Sequence, residues 1–255
     1  MQSAAQHENR SLNSQPQSMP SAYRDQAFGT PPSRKDVECL TRSASNSKYT
    51  TRRLVSPDEI RMAQNLVYQV YAEEIGWVPD VDNPSGIRVT EDCGVPVFVD
   101  DYEQMATWIG TFDGDRLIAC WRWCRPIDGA YEIERYNPLP AELKAARAME
   151  VNRLVIHPDY RTRGRVFYHL VRFTYQSLAP EIDLGFCAVA FPYPGALYLK
   201  IGLKVVDCPA FKYSPKDVDE VRLLAFDFRD QSTVAAGRRD REPRRENGTD
   251  VAIAC

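Results

Sequence analysis

The chain has 255 residues, 44% of them hydrophobic and 26% charged, which suits one core domain with appendages better than two full domains. Its 32 Lys and Arg nearly balance 35 Asp and Glu, for a formal net charge of −3, so no global positive field exists to hold a nucleic-acid backbone. Charges break its apolar runs within roughly ten residues, short of the ~20 that cross a bilayer, and the N-terminal MQSAAQHENRSLNSQPQS has none of the parts of a secretion signal. We therefore expect no nucleic-acid partner, no membrane span and a cytoplasmic location. Seven cysteines at irregular spacing, without a C-x-x-C, and only three histidines give no pattern for a metal or a disulfide framework. Cys120, Cys124 and Cys187 sit in apolar segments and read as small core residues.

From Met1 to about Thr50 the sequence is rich in Ser, Gln, Asn, Pro and Arg and has no apolar period; it cannot bury enough surface to offset its ordering entropy. Residues 230–255, with Arg238, Arg239, Arg241, Arg244 and Arg245, read the same way. This leaves a disordered tail at 1–50, a folded unit at 51–229 and an Arg-rich tail at 230–255. The folded unit begins with Ser56-Pro57-Asp58-Glu59, which has the residues of a capping box. A helix should follow to about Ile75, with Ile60, Ala63, Leu66, Val67, Val70 and Tyr71 on its buried face. Gly76-Trp77-Val78-Pro79 ends it, and a Gly-, Pro- and Asp-rich loop should run to about Val95.

Strand-like runs at 105–111 and 116–124 flank Asp113-Gly114 and predict a hairpin. Met149–Ile156 reads as a strand ending at His157-Pro158, and Arg163–Leu178 as a helix with Val166, Phe167, Leu170, Val171, Phe173 and Tyr175 at its apolar positions. Phe186–Phe191 should be a strand, Gly195–Ile201 a short helix, and Leu203–Cys208 and Arg222–Phe228 closing strands. The sum is an α/β (α+β) sandwich with a mixed, mainly antiparallel central sheet flanked by helices.

Between Glu150 and Phe167 an apolar strand runs into a turn holding Arg161, Arg163, Gly164 and Arg165, and the turn opens a helix. Backbone N–H groups at such a helix start suit a phosphate, and arginines reinforce the field; the same arginines also read as solvated caps. A strand ending in V-x-P followed by R-x-x-G-x and a helix resembles the acyl-thioester-binding motif of the GNAT acyltransferase superfamily. Ala196-Leu-Tyr198-Leu-Lys-Ile-Gly202-Leu resembles that superfamily's second signature. Tyr68-x-x-Tyr71 through Gly76-Trp77, Asp100-Asp101-Tyr102-Glu103, Ala119-Cys-Trp-Arg122 and Glu150-Val-Asn-Arg153 narrow the resemblance to acyl-homoserine-lactone synthases and N-acyl amino acid synthases. It covers about 52–210. Asn152 stands where that group has a serine, and Val166 where the phosphate loop usually has a third small residue. A β-branched residue there limits the approach of a pyrophosphate, whereas a carrier protein presents a single phosphate.

The resemblance implies an N-acyltransferase that moves a long acyl group from an acyl carrier protein (acyl-ACP) or acyl-CoA thioester to the amine of an amino-acid-like acceptor, with no permanently bound cofactor and no metal. It gives Glu150 as the base that takes the acceptor's proton, or alternatively as half of a Glu150–Arg153 ion pair. Tyr198 would protonate the leaving thiolate, or else simply pack. Backbone N–H groups of Val155 and Ile156 would hold the carbonyl oxygen if the strand bulges there. Arg161, Arg163, Gly164 and Arg165 would hold the donor's phosphate and pantetheine end, and Arg161, Arg163, Arg165 and Arg172 could also face an acidic carrier surface. Arg122 and Arg153 would clamp an acceptor carboxylate, while Asp100, Asp101 and Glu103 hold its ammonium. Trp77 belongs to the acceptor end; with Trp108, Trp121, Trp123 and Phe167 it also suits an acyl channel or ordinary core. His157 and His169 receive no catalytic role. An acetyl-CoA-dependent N-acetyltransferase and a non-catalytic acyl- or pantetheine-binding module are the alternatives.

Overall fold

The computed structural model describes residues 48–145, 147–163, 165–192 and 194–229. The expected tails at 1–50 and 230–255 lie outside the described residues except for 48–50, and so does Gly164. The first strand, β1 (Tyr49–Leu54), starts slightly ahead of the expected folded unit and pairs antiparallel with β4 (Ala106–Asp113).

The capping box forms: the Glu59 N–H donates to Ser56 Oγ at 3.2 Å and the Ser56 N–H to Glu59 Oε2 at 3.3 Å, with Pro57 in the first turn. Helix α1 (Pro57–Tyr68) then buries Ala63, Leu66 and Val67. The expected continuation to Ile75 is a wider π turn, Gln69–Glu74, closed by the Ile75 N–H on the Val70 carbonyl (3.0 Å) and the Trp77 N–H on the Tyr71 carbonyl (2.8 Å). Such a turn re-aims side chains within a helix. Here Tyr71 and Trp77 meet, with ring centroids 6.2 Å apart.

The long loop expected to Val95 instead contains a hairpin, β2 (Arg88–Asp92) and β3 (Val95–Val99). Cys93 and Gly94 make its two-residue turn, both at positive φ (52° and 76°), as a hairpin of this length requires. Every residue of β2 is exposed and β3 carries Pro96, so neither strand shows an apolar alternation. The hairpin lies against α1, where Asn65 Nδ2 donates to the Pro96 carbonyl at 2.8 Å.

The main sheet has seven strands in the order β1-β4-β5-β6-β7-β9-β8. Its remaining strands are β5 (Arg116–Cys124), β6 (Ala148–Ile156), β7 (Leu184–Ala190), β8 (Lys204–Val205) and β9 (Val221–Asp227). The expected strand at Leu203–Cys208 shrinks to the two residues of β8 at the sheet edge. Among the described residues only β6 and β7 run parallel, and they pair over three positions, Ala148–Glu150 against Leu184–Phe186. Beyond them β6 stays with β5 up to Ile156 and β7 with β9 up to Ala190, so the sheet parts into a wedge that opens just after Glu150. Helix α2 (Ala141–Ala145) precedes β6; α3 (Arg165–Leu178) and α4 (Gly195–Lys200) flank β7 in sequence.

The sheet separates two cores. On one face α3 packs Val166, Phe167, Leu170 and Leu178 against Trp121, Trp123, Met149, Val151 and Ile156. On the other, α1 packs against Trp108, Phe112, Leu117, Cys120 and Val155. Alternation along a strand would place Arg153 with Val151. The ladder instead slips a residue: Cys120 faces Val155 and Arg122 faces Asn152, so Arg153 and Leu154 together oppose Trp121. Arg153 takes a left-handed φ of 52° at this bulge, which keeps it on the side of Glu150 and Asn152 and returns Leu154 to the α3 core.

Candidate active site

Next to the narrow end of the wedge lies a buried ionic cluster. Arg122 is fully buried in mid-β5; it donates to both oxygens of Asp100 (2.8 and 2.7 Å), to Glu103 Oε1 (2.7 Å), to Glu132 Oε2 (3.0 Å) and to Asn152 Oδ1 (2.8 Å). Arg153 donates to Asp100 Oδ2 and Glu132 Oε1, each at 2.6 Å. Burial works against the charge of Asp100, but Arg153 and Arg122 outweigh it and hold that carboxyl well below the usual carboxylate range. These contacts correct the expected division of labour. The two arginine forks hold the protein's own acids, and Asp100 and Glu103 hold arginines.

Asp101 does not join them. It is exposed, its carboxylate packs over Gly86, and Arg88 lies 3.5 Å away. Glu132 was missed by sequence reasoning. It lies on a 3₁₀ turn (Glu132–Arg135) in the β5–β6 connection, is 3% exposed, and no motif marks it. The cluster has three carboxylates (Asp100, Glu103 and Glu132) against two guanidinium groups (Arg122 and Arg153), one formal negative charge in excess before Glu150 is counted.

Glu150 stands at the point where β6 and β7 part. Its Oε2 accepts from the Ile133 N–H at 3.1 Å and its Oε1 from Asn152 Nδ2 at 3.4 Å; the alternative Glu150–Arg153 ion pair does not form, because Arg153 is engaged by Asp100 and Glu132. Burial pushes the Glu150 carboxyl up to about 8, with Glu132 adding to the push and the Ile133 N–H and Asn152 opposing it. Tyr198, on α4, is 5% exposed, with its ring 6.1 Å from Phe167. Burial, helped by Cys187 and Tyr71, pushes its phenol well above the ordinary value, so it keeps its proton at neutral pH. Burial likewise pushes up the thiols of Cys120, Cys124 and Cys187, which keeps them un-ionised core groups.

Trp77 joins Tyr71 and Phe98 in an aromatic wall, 5.5 Å from Phe98 centroid to centroid, and the Arg153 guanidinium lies 5.6 Å over the same Phe98 ring. Trp108, Trp121 and Trp123 are core residues: Trp108 donates to Glu103 at 3.2 Å, and the other two pack under α3.

The irregularity in β6 falls at Arg153–Leu154, ahead of the expected bulge at Val155 and Ile156. The His157 N–H donates to the Ile118 carbonyl at 2.8 Å. Antiparallel alternation then commits the Val155 amide to β5 and turns that of Ile156 toward the wedge. At the wide end, Arg161 departs from expectation too. It is 6% exposed, donates through Nε to the Ile156 carbonyl at 2.8 Å and grips Glu74 with both terminal nitrogens, so these donors brace the turn. Arg165 is exposed as the first residue of α3. The Arg163 side chain and Gly164 are outside the described residues. His157 is engaged by Arg116 at 2.7 Å.

No family model matches the chain. Over 159 residues it is 28% identical to the L-ornithine N(alpha)-acyltransferase of Rhodobacter capsulatus, a match that takes in 58% of this chain and 59% of that protein. The chain thus spans less than two thirds of that relative's length. Among solved structures it is similar to FeeM, an N-acyl amino acid synthase from uncultured soil microbes (TM-score 0.52, 15% identity, 71% of this chain and 92% of the other). It is also similar to BjaI, a CoA-dependent acyl-homoserine lactone synthase, solved with MTA (TM-score 0.53, 16% identity, 75% and 89%). The chain has the GNAT fold that these solved structures share.

Proposed function

We propose that this protein is an N-acyltransferase that transfers an acyl group from a carrier-protein or coenzyme A thioester to the α-amine of a cationic amino acid of the ornithine type. The observation that carries the reading is the wedge between β6 and β7, with an excess of carboxylates at its closed end and the start of α3 after its open end. The N-terminus of a 14-residue helix with exposed Arg165 suits the phosphate of a pantetheine arm, and the arm would lie along the unpaired stretch of β6. The acidic end suits an ammonium-bearing acceptor better than an anionic one, because the net charge there is negative. The ornithine-acylating relative supports the same acceptor class.

In this reading the amine nitrogen attacks the thioester carbonyl carbon. A C–N bond forms and the C–S bond breaks; the nitrogen's proton passes to the Glu150 carboxylate, and the electron pair leaves on sulfur, which Tyr198 protonates. The Ile156 amide is the oxyanion donor. Asp100, Glu103, Arg122 and Arg153 act together as a rigid floor that aims Glu150 and the Trp77–Phe98 wall at the acceptor.

The test is mass spectrometry of products after the purified protein meets carrier-borne and CoA-borne acyl thioesters with pooled amino acids and S-adenosylmethionine. An N-acylated basic amino acid is the expected product, and preference between donors identifies the carrier. Acetylation from acetyl-CoA alone would replace this reading with a short-chain acetyltransferase, and thioester binding without product would leave a binding module.

A further inference from the structure

Glu132 and Glu150 reach each other through one side chain. Asn152 Nδ2 donates to Glu132 Oε2 at 2.7 Å and to Glu150 Oε1 at 3.4 Å. The 3₁₀ turn that carries Glu132 also supplies the Ile133 N–H that holds Glu150 Oε2. The two carboxylates are thereby set side by side with unequal partners, since Glu132 accepts from Arg122 and Arg153 while no cation among the described residues hydrogen-bonds Glu150.

Of the other groups facing Glu150, Arg122 opposes this, but by less than burial and Glu132 favour it. Arg122, from β5, is bound by Asp100, Glu103 and Glu132, and Cys124 and Cys187, from β5 and β7, are buried thiols. Tyr102, Tyr131 and Tyr213, from the connecting segments, are phenols that burial keeps protonated.

We propose that Glu132 is a positioning residue for the acyl transfer: its guanidinium-bound carboxylate, held against Glu150 across the shared Asn152 amide, makes Glu150 the group that takes the proton from the acceptor's amine. This rests on the acyltransferase reading. A carboxylate crowded by a second carboxylate binds a proton more tightly and is a stronger base toward an amine, at the cost of a smaller ionised fraction at neutral pH. The burial of both groups and their fixed hydrogen bonds keep the effect from being screened by water.

The experiment is infrared titration of the carboxylic-acid C=O band in the full-length protein without substrate, with the band assigned by its loss in Glu150→Gln. In the native protein the band is expected at pH 7 and should titrate near pH 8. In Glu132→Gln its midpoint should fall by about one pH unit or more, and Glu132→Asp, which keeps the charge, should restore most of the native value; if the glutamine variant does not fold, the smaller neutral Glu132→Ser takes its place, with the same fall expected. The rise of kcat/KM with pH should move to lower pH by the same amount in Glu132→Gln. A midpoint unchanged by Glu132→Gln, or a band that survives Glu150→Gln, would overturn the proposal. The infrared result needs no turnover, so it decides the role of Glu132 even if no acyl thioester proves to be a substrate. Conversely, turnover with an unmoved midpoint would remove Glu132 and leave the acyltransferase reading standing.

Discussion

A carboxyl group with no cation hydrogen-bonded to it is a liability whenever it ionises inside a protein, and among the described residues Glu150 is such a group. Burial and Glu132 raise its proton affinity until it titrates at about 8, above the ordinary carboxylate value, so the folded chain binds this proton more tightly than the unfolded chain does. The resulting stabilisation is complete below the ordinary carboxylate value and is lost as pH rises through about 8. Glu150→Gln should remove that loss. Its unfolding free energy, measured in urea at pH 6 and pH 9, should fall less over the interval than that of the native protein, while acyl transfer drops by at least about 100-fold. A fall as steep as in the native protein would mean that Glu150 is not the group titrating. Arg153 shows the other residue-scale compromise. Its left-handed φ costs about 1–2 kcal/mol for a residue with a Cβ, and its contacts with Asp100 and Glu132 hold it there.

At the scale of elements, local signals and neighbours divide the control. The α1 capping box is written in four consecutive residues, and Ser56→Ala should cost about 1 kcal/mol of stability in denaturant unfolding, with little effect on chemistry, since Ser56 lies outside the ionic cluster. Gly185 in β7 is set by a neighbour instead. A Cβ there would lie 2.7 Å from the Trp123 ring and 3.2 Å from Phe228, and a packed indole cannot step aside as a flexible chain end would. Gly185→Ala should therefore destabilise by about 1–3 kcal/mol. It should also disturb the wedge, because Gly185 is the middle residue of the three β7 positions that pair with β6. A melting temperature within a degree of the native one would show that β7 relaxes freely at that point.

Across the whole molecule, Arg161 joins segments 87 residues apart in sequence, tying the end of the π turn at Glu74 to the turn that follows β6. Arg165, four residues further on, is exposed at the start of α3. The two arginines look equivalent in sequence and should behave oppositely. Arg161→Met should cost about 1–3 kcal/mol of stability, because it strips a donor from the Ile156 carbonyl and a partner from Glu74. Arg165→Ala should leave melting unchanged and raise KM for the thioester by about tenfold, the loss of one charge-assisted hydrogen bond to phosphate. Equal effects of both variants on KM, without a change in melting, would return Arg161 to the donor site.

What the chain's own order of residues determined is whatever depends on near neighbours: the Ser56 cap, the β4–β5 hairpin around Asp113-Gly114, the amphipathic α3, and the run from Glu150 through the arginine turn that resembles a GNAT donor motif. The β2–β3 hairpin escaped because an all-exposed strand and one with a proline carry no periodic signal. The sequence marks Arg122, Arg153, Asp100 and Glu150 as candidate site residues but not their pairing, since which acid meets which arginine depends on the bulge at Arg153 and on a turn in the β5–β6 connection. That turn brings Glu132 into the cluster with no motif to announce it. Only tertiary structure decided that Arg161 braces the turn after β6 and that Glu150 takes the Ile133 amide and Asn152 as partners, because both outcomes depend on desolvation and on partners distant in sequence.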